Sequence, residues 1–252
     1  KMNKSEYTNG EWRHSISLRG CSNILIEGLS ILDSGGDGIY IGKGKTLPCE
    51  KITVRNCFIS NHKRQGISIV SAQHVLIENC DIAGTKGTPP MAGIDFEPNA
   101  NTELLTDCIV RNCNIHDNAG TGIAVVLHTL DASSKPIGLI IENTWVHDNT
   151  GGPQLFIMNR DKGIVAGNID IKNCLIENSQ DAGLFIMKNR EEFGIQVTNC
   201  VFNNVANVST GSKAKYTSPI MFETKVNKNP SNKAYGGANF KNCLVNYTSD
   251  KP

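Results

Sequence analysis

The chain has 252 residues, with 25 lysines and arginines against 24 aspartates and glutamates, for a net charge of +1. So even a balance gives no electrostatic reason for a nucleic-acid partner or an acidic membrane surface. Hydrophobic residues make up 39% of the chain, no apolar run approaches the ~18 residues of a membrane span, and the length suits one domain.

Residues 1–13 form a polar lead-in, with Trp12 and Arg13 placed to fold over the first strands. The opening at Lys1, with no initiator Met and no signal peptide, reads as a processed or trimmed start. Short strands are predicted at 15–18 and 23–26, and the turn Asp33-Ser34-Gly35-Gly36 delivers Asp37. The loop 42–48 carries Lys43 and Lys45, and Asn61-His62-Lys63-Arg64 leads into the next strand. A second long loop, 84–90, precedes Met91-Ala92-Gly93-Ile94-Asp95-Phe96-Glu97-Pro98-Asn99. There the alternation sends Ile94 and Phe96 one way and Asp95 and Glu97 the other. Two carboxylates two residues apart on one strand face stand roughly 6.5–7 Å apart at Cα, a working distance for acid/base groups. Insertions follow at 99–106, 128–136, 158–167 and, most irregularly, 205–237. Insertions gathered on one face of a repeat protein wall a binding cleft.

These strands are copies of one repeat. Asp37-Gly38-Ile39, Gln65-Gly66-Ile67, Ala92-Gly93-Ile94, Thr121-Gly122-Ile123 and Ala182-Gly183-Leu184 share one element, with Gln154-Leu155 and Pro219-Ile220 as worn copies. A second element ends in Asn-Cys, at Asn56-Cys57, Asn79-Cys80, Asn112-Cys113, Asn173-Cys174, Asn199-Cys200 and Asn242-Cys243. Asn143-Thr144 is a variant, and Glu27-Gly28 holds the place in the first copy. The Asn recurs every 23 to 43 residues with no 3.6-residue periodicity. The shorter spacings cannot hold the four strands of a propeller blade. The pattern predicts an all-β fold, a right-handed parallel β-helix solenoid of about eight coils forming a single domain over 1–252. Stacked coils turn identical positions into ladders: Ile, Leu and Val inside, Asn in a turn where its left-handed φ is tolerated, and Cys beside it as small inward thiols. The nine cysteines include no CxxC and no Cys/His metal spacing.

The stacked Gly-Ile units resemble the right-handed parallel β-helix families, which include pectin-active hydrolases and lyases, alginate lyases and epimerases, and phage tailspikes. The resemblance covers roughly residues 14–248. It implies a polysaccharide or oligosaccharide partner and a secreted or periplasmic protein. The pectin hydrolases carry an Asp before the Gly, an Asp-Asp pair one coil on, a Gly-His-Gly and an Arg-Ile-Lys. This sequence matches at Asp37 alone: Arg64-Gln65 stands where the acid pair would be and Ala92 where the His would be.

Outward positions on the Gly-Ile strands form columns. Two past the Gly stand Tyr40, Ser68, Asp95, Ala124, Phe156, Phe185 and Met221; four past stand Gly42, Val70, Glu97, Val126, Met158, Met187 and Glu223. Polar groups gather in the early coils, and Phe and Met in the later ones, as an apolar platform or a surface covered by an insertion or a second subunit. Three functions fit. A glycoside hydrolase would use Asp37, Asp95 and Glu97 from neighbouring coils, one raised in pKa by its neighbours to act as acid. Arg64 would steady the other or grip the sugar, Tyr40 would stack a pyranose ring, and Lys43, His62, Gln65, His128 and Glu223 would contact substrate. A polysaccharide lyase or uronate epimerase would neutralise a uronate with Arg64, Lys63, Lys43 or His62, or with Ca²⁺ held by Asp95, Glu97 and Asn99. The hydrolase needs no cofactor or metal. The third function is a non-catalytic carbohydrate-binding or structural β-helix. His116 and His147, in matching Ile-His-Asp-Asn and Val-His-Asp-Asn contexts, read as turn-ladder residues.

Overall fold

The structure, a computed structural model, describes residues 11–159, 165–188, 193–207, 215, 217–223 and 237–246; most of the irregular 205–237 stretch lies outside them. Among the described residues every regular element is a strand, and the strands form three sheets of eight. The first sheet stacks the Gly-Ile units: Ile16–Arg19, Ile39–Gly42, Ile67–Ile69, Ile94–Phe96, Ile123–Val126, Leu155–Asn159, Leu184–Lys188 and Ile220–Glu223. The second runs from Ser22–Glu27 to Ala238–Lys241, and the third from Ser30–Leu32 to Leu244–Asn246. Each strand pairs in parallel with the equivalent strand one coil away, so the chain is a parallel β-helix with eight strands in each sheet.

The ladders follow from the repeat. Ile39, Ile67 and Ile94 are fully buried and Ile123 nearly so, and with Ile52, Ile77 and Ile82 they fill one continuous core. No coil could bury this face alone, and stacking supplies the missing partner. The turn Asn adopts left-handed φ at every copy, from Asn56 at 53° to Asn242 at 53°, and Gly28 substitutes for it at 67°. Asn tolerates this conformation because its short amide bonds locally; here Asn79 Nδ2 donates to Asn56 Oδ1 of the coil below at 3.3 Å. The next residue turns inward: Cys80 is buried, its thiol donating to Glu78 O at 3.3 Å. The Gly of the Gly-Ile unit is there for close approach. A Cβ at Gly93 would lie 2.6 Å from Ile115 Cγ2 and 2.7 Å from Gly122 O.

A second turn ladder, before the Gly-Ile strands, stacks Ser34, His62, Thr85, Asn118, Asn149 and Ser179, all buried. Asn118 Nδ2 donates to Asn149 Oδ1 at 2.8 Å, and His62 Nδ1 stands 2.7 Å from Ser34 Oγ. His116 and His147 form a ladder on the third sheet, their rings stacked at 5.0 Å. On the outer face of the second sheet charges alternate from coil to coil, with Arg55 Nε donating to Glu27 Oε1 at 2.8 Å and Arg111 Nε to Glu78 Oε1 at 2.7 Å. Such pairs favour one register over a one-residue slip.

Candidate active site

The strand Ile94–Phe96 sets the site. Ile94 and Phe96 are anchored in the core, which forces Asp95 and then Glu97 onto the outer face. Loops wall that face. On one side the 42–48, 99–106 and 128–136 insertions are laced together: Lys43 Nζ donates to Thr102 Oγ1 at 3.5 Å, Asn101 Nδ2 to Asp131 Oδ2 at 2.7 Å and Ser134 Oγ to Asn101 O at 2.8 Å. On the other side stand Pro89, Pro90 and Met91 with Gly151, Gly152 and Pro153. The segment from Glu11 to His14 crosses the first coils, so close to Gly36 that a Cβ there would lie 2.5 Å from Glu11 O.

Two clefts meet at Asp95 and Glu97. One, of about 130 Å³, is lined by Trp12, His14, Tyr40, Arg64, Ser68 and Asn99 among others. The second, of about 420 Å³, continues past the pair over Ala124, Val126 and Phe156. Asp95 is 2% exposed. Gln65 Nε2 donates to its Oδ2 at 2.7 Å, while Oδ1 is buried and receives no hydrogen bond from a donor among the described residues. Burial first, and then the charge of Glu97, push the Asp95 carboxyl well above the ordinary carboxylate value, against the opposing pull of Arg64. Arg64 spans the site, with Nη1 3.5 Å from Asp37 Oδ1 and Nη2 3.8 Å from Glu97 Oε2.

The structure thus brings Arg64, Asp95 and Glu97 together at the clefts, with Asp37 directly behind. Asp37 is fully buried; its Oδ2 accepts from Ser68 Oγ at 2.9 Å and its Oδ1 faces Arg64. Burial raises it from 3.8 to about 6, with Arg64 and Ser68 opposing. Its oxygens are used within the protein, so its geometry is that of a support for Arg64, where the sequence suggested an acid reaching substrate. Gln65, also expected to touch substrate, is fully buried, and its amide is spent on Asp95 and on the Ala92 N–H, 2.8 Å from its Oε1.

Five other expectations change. Tyr40 is 8% exposed, with its ring stacked on His14 at 4.8 Å and the Arg19 guanidinium 4.5 Å from its centre, so no free face remains for a sugar. His62 belongs to the buried turn ladder, and burial pushes it down from 6.5 to about 4, leaving it neutral and unable to meet a carboxylate. Glu223 keeps the column of Glu97 through Met187, Met158 and Val126. That column places it four coils, roughly 19 Å, from Glu97 at ~4.8 Å per coil. Lys43 is tied to Thr102 and His128 is exposed on the loop after Ile123–Val126; both sit on the outer wall away from the cleft linings. The apolar columns are also partly used: Phe185 and Met187 are buried against Ala182, leaving Phe156 and Met158 half-buried.

Sequence reasoning gave Trp12 and His14 no place in the site. Trp12 is 74% exposed at the cleft mouth. His14 Nδ1 accepts the Asp37 N–H at 3.2 Å, and burial pushes the ring down from 6.5 to about 4. Both precede the first recognisable Gly-Ile copy, so no periodicity marked them. Ca²⁺ would need Asp95, Glu97 and Asn99 as donors. The Arg64 guanidinium, 3.8 Å from Glu97 Oε2, already competes for one of these carboxylates.

Among known proteins, the family described as "Right handed beta helix region" matches residues 2–156. The chain belongs to that family. An uncharacterised protein of Bacillus subtilis, YclG, is 41% identical over 96 residues, 34% of this β-helix chain and 16% of its own length. A "probable polygalacturonase" of Arabidopsis thaliana is 24% identical over 73% of this chain and 45% of its own length. The A-module of the mannuronan C-5 epimerase AlgE4 from Azotobacter vinelandii superposes with a TM-score of 0.57 at 10% identity, covering 89% of this chain and 60% of the module. The β-helix chain therefore spans less than half the length of either of these two relatives, and the likeness to the module is one of fold.

Proposed function

We propose that this β-helix protein is a carbohydrate-active enzyme, a glycoside hydrolase whose proton donor is Asp95 and whose partner carboxylate is Glu97. The observation that carries the reading is a buried carboxyl with raised affinity for its proton, beside an accessible carboxylate, where two clefts join. Hydrolysis of a glycoside needs this division of labour. Asp95 delivers its proton to the glycosidic oxygen as the C–O bond breaks. Glu97 stabilises the positive charge growing at the anomeric carbon and accepts the proton of the attacking water, which later returns to Asp95. Arg64, backed by Asp37, fixes Glu97 and offers a donor to sugar hydroxyls. The likeness to a probable polygalacturonase supports a polysaccharide substrate, and with it we propose a secreted or periplasmic protein.

A lyase or epimerase would call on Arg64 to neutralise a uronate. Arg64 already faces two carboxyl groups, Asp37 and Glu97, so its charge is largely committed. The test is a polysaccharide panel incubated with the wild type and Asp95→Asn, followed for reducing ends and for ultraviolet absorbance. New reducing ends without absorbance, reduced about 10²–10⁴-fold in the variant, are expected. Absorbance rising with the ends would mean β-elimination and overturn the hydrolase assignment.

A further inference from the structure

The two clefts differ in chemistry on either side of Asp95 and Glu97. Toward the first coils the walls carry Arg64, His14, Ser68, Asn99 and Glu11. Toward the later coils, beyond the acid pair itself, they are Pro89, Pro90, Met91, Ala124, Val126 and Phe156 with further uncharged residues, and among the described residues no other charged side chain contributes. Phe156 is held from behind by Phe185, with ring centroids 5.4 Å apart, which leaves its other face to the cleft. The volume of about 420 Å³ is ample for one substituted pyranose.

We propose that this later-coil cleft is a subsite for a neutral sugar unit that carries a methyl group, a 6-deoxyhexose or an acetylated hexose. A uronate here would lose water from its carboxylate without gaining a cation from the described lining, and Glu97 would repel it. A fully hydroxylated hexose would leave most of its hydroxyls unpaired against proline, methionine and phenylalanine. A methyl group gains what those walls offer, contact with an aromatic face and removal from water. The subsite lies against the acid pair, so it rests on the hydrolase reading for its role beside the scissile bond, though not for its chemistry. The substrate would then be a heteropolysaccharide with its methyl-bearing unit on the later-coil side.

Saturation-transfer NMR on the full chain tests binding apart from catalysis. The probes are methyl α-rhamnoside, methyl N-acetylglucosaminide and methyl galacturonide. Transfer to the methyl group of the deoxy or acetyl substituent is expected, with affinity falling about fivefold in Phe156→Ser. The galacturonide should bind weakly to both proteins. Val126→Lys, which keeps Phe156, should reverse the order by recruiting the galacturonide. Equal or better galacturonide binding by the wild type, no binding of either methyl-bearing sugar, or no change in both variants would overturn the subsite. Reducing-end release from an unsubstituted polyuronate would overturn it while leaving the hydrolase standing. Methyl-sugar binding with no hydrolysis of any polymer would do the reverse.

Discussion

Asp37→Asn separates support from catalysis. Asp37 is fully buried and titrates near 6 where an exposed aspartate titrates near 3.8. Burial is the cause, and Arg64 and Ser68 only partly offset it. The folded chain therefore holds this proton more tightly than the unfolded chain, so this group's contribution to stability is intact below pH 3.8 and is lost as pH rises to about 6. A shift of that size corresponds to about 3 kcal/mol at neutral pH. Asparagine keeps the shape and can still accept the Ser68 hydroxyl, but carries no charge to desolvate. Equilibrium denaturation of both proteins at pH 3.5, 5 and 7 reads the effect, because carboxyls outside the site cancel in the difference and the one that feels the Asp37 charge, Asp95, feels it only as a lesser cause of its shift. The variant should gain about 3 kcal/mol on the wild type between the lowest and highest pH, on top of any constant offset from the loss of Arg64's partner. Its activity should stay within about tenfold of wild type, against the 10²–10⁴-fold loss expected of a proton donor. A stability difference that is flat with pH would refute the buried-charge argument. A loss of activity as deep as that of Asp95→Asn would return Asp37 to the catalytic set.

Two further substitutions test how the site is held. Gly93→Ala should cost roughly 1–3 kcal/mol in denaturation midpoint, since the new methyl meets Ile115 and the Gly122 carbonyl; an unchanged midpoint would mean that the coils do not stack as closely as described. Gln65→Leu removes the amide that favours ionised Asp95, so the basic limb of the pH–rate profile should move up by about one unit. A limb that stays in place or moves down would mean that another group donates the proton.

The architecture was legible in the sequence because a solenoid writes its fold into every coil. Gly-Ile and Asn-Cys each mark a position with one steric requirement, and repetition makes a weak signal strong. The columns of the first sheet could be read the same way, down to Glu97 and Glu223 sharing one. What covers an outward residue could not be read, because coverage comes from segments outside the repeat. Tyr40 looked like a free sugar platform until His14, upstream of the first Gly-Ile copy, and Arg19, on the preceding coil, closed over it. His62 looked like a surface residue until its neighbours Ser34 and Thr85 placed it in a buried ladder.

Charge counting explains why the chemistry settles on Asp95. Three acids, Asp37, Asp95 and Glu97, surround one guanidinium, Arg64. His14 adds no charge at neutral pH, because burial and the nearby Arg19 and Arg64 hold it neutral. Ionising all three acids would leave two negative charges in excess in a partly dry site, and the stacked coils prevent them from moving apart. One proton is therefore retained as long as the site stays intact. Asp37 has Ser68 and Arg64 to stabilise its charge, and Glu97 has partial exposure and Arg64. Asp95 has the Gln65 amide on one oxygen and no donor among the described residues on the other, and takes repulsion from both other acids. The proton goes to the group least able to be charged, and the same burial that puts it there places it at the junction of the two clefts.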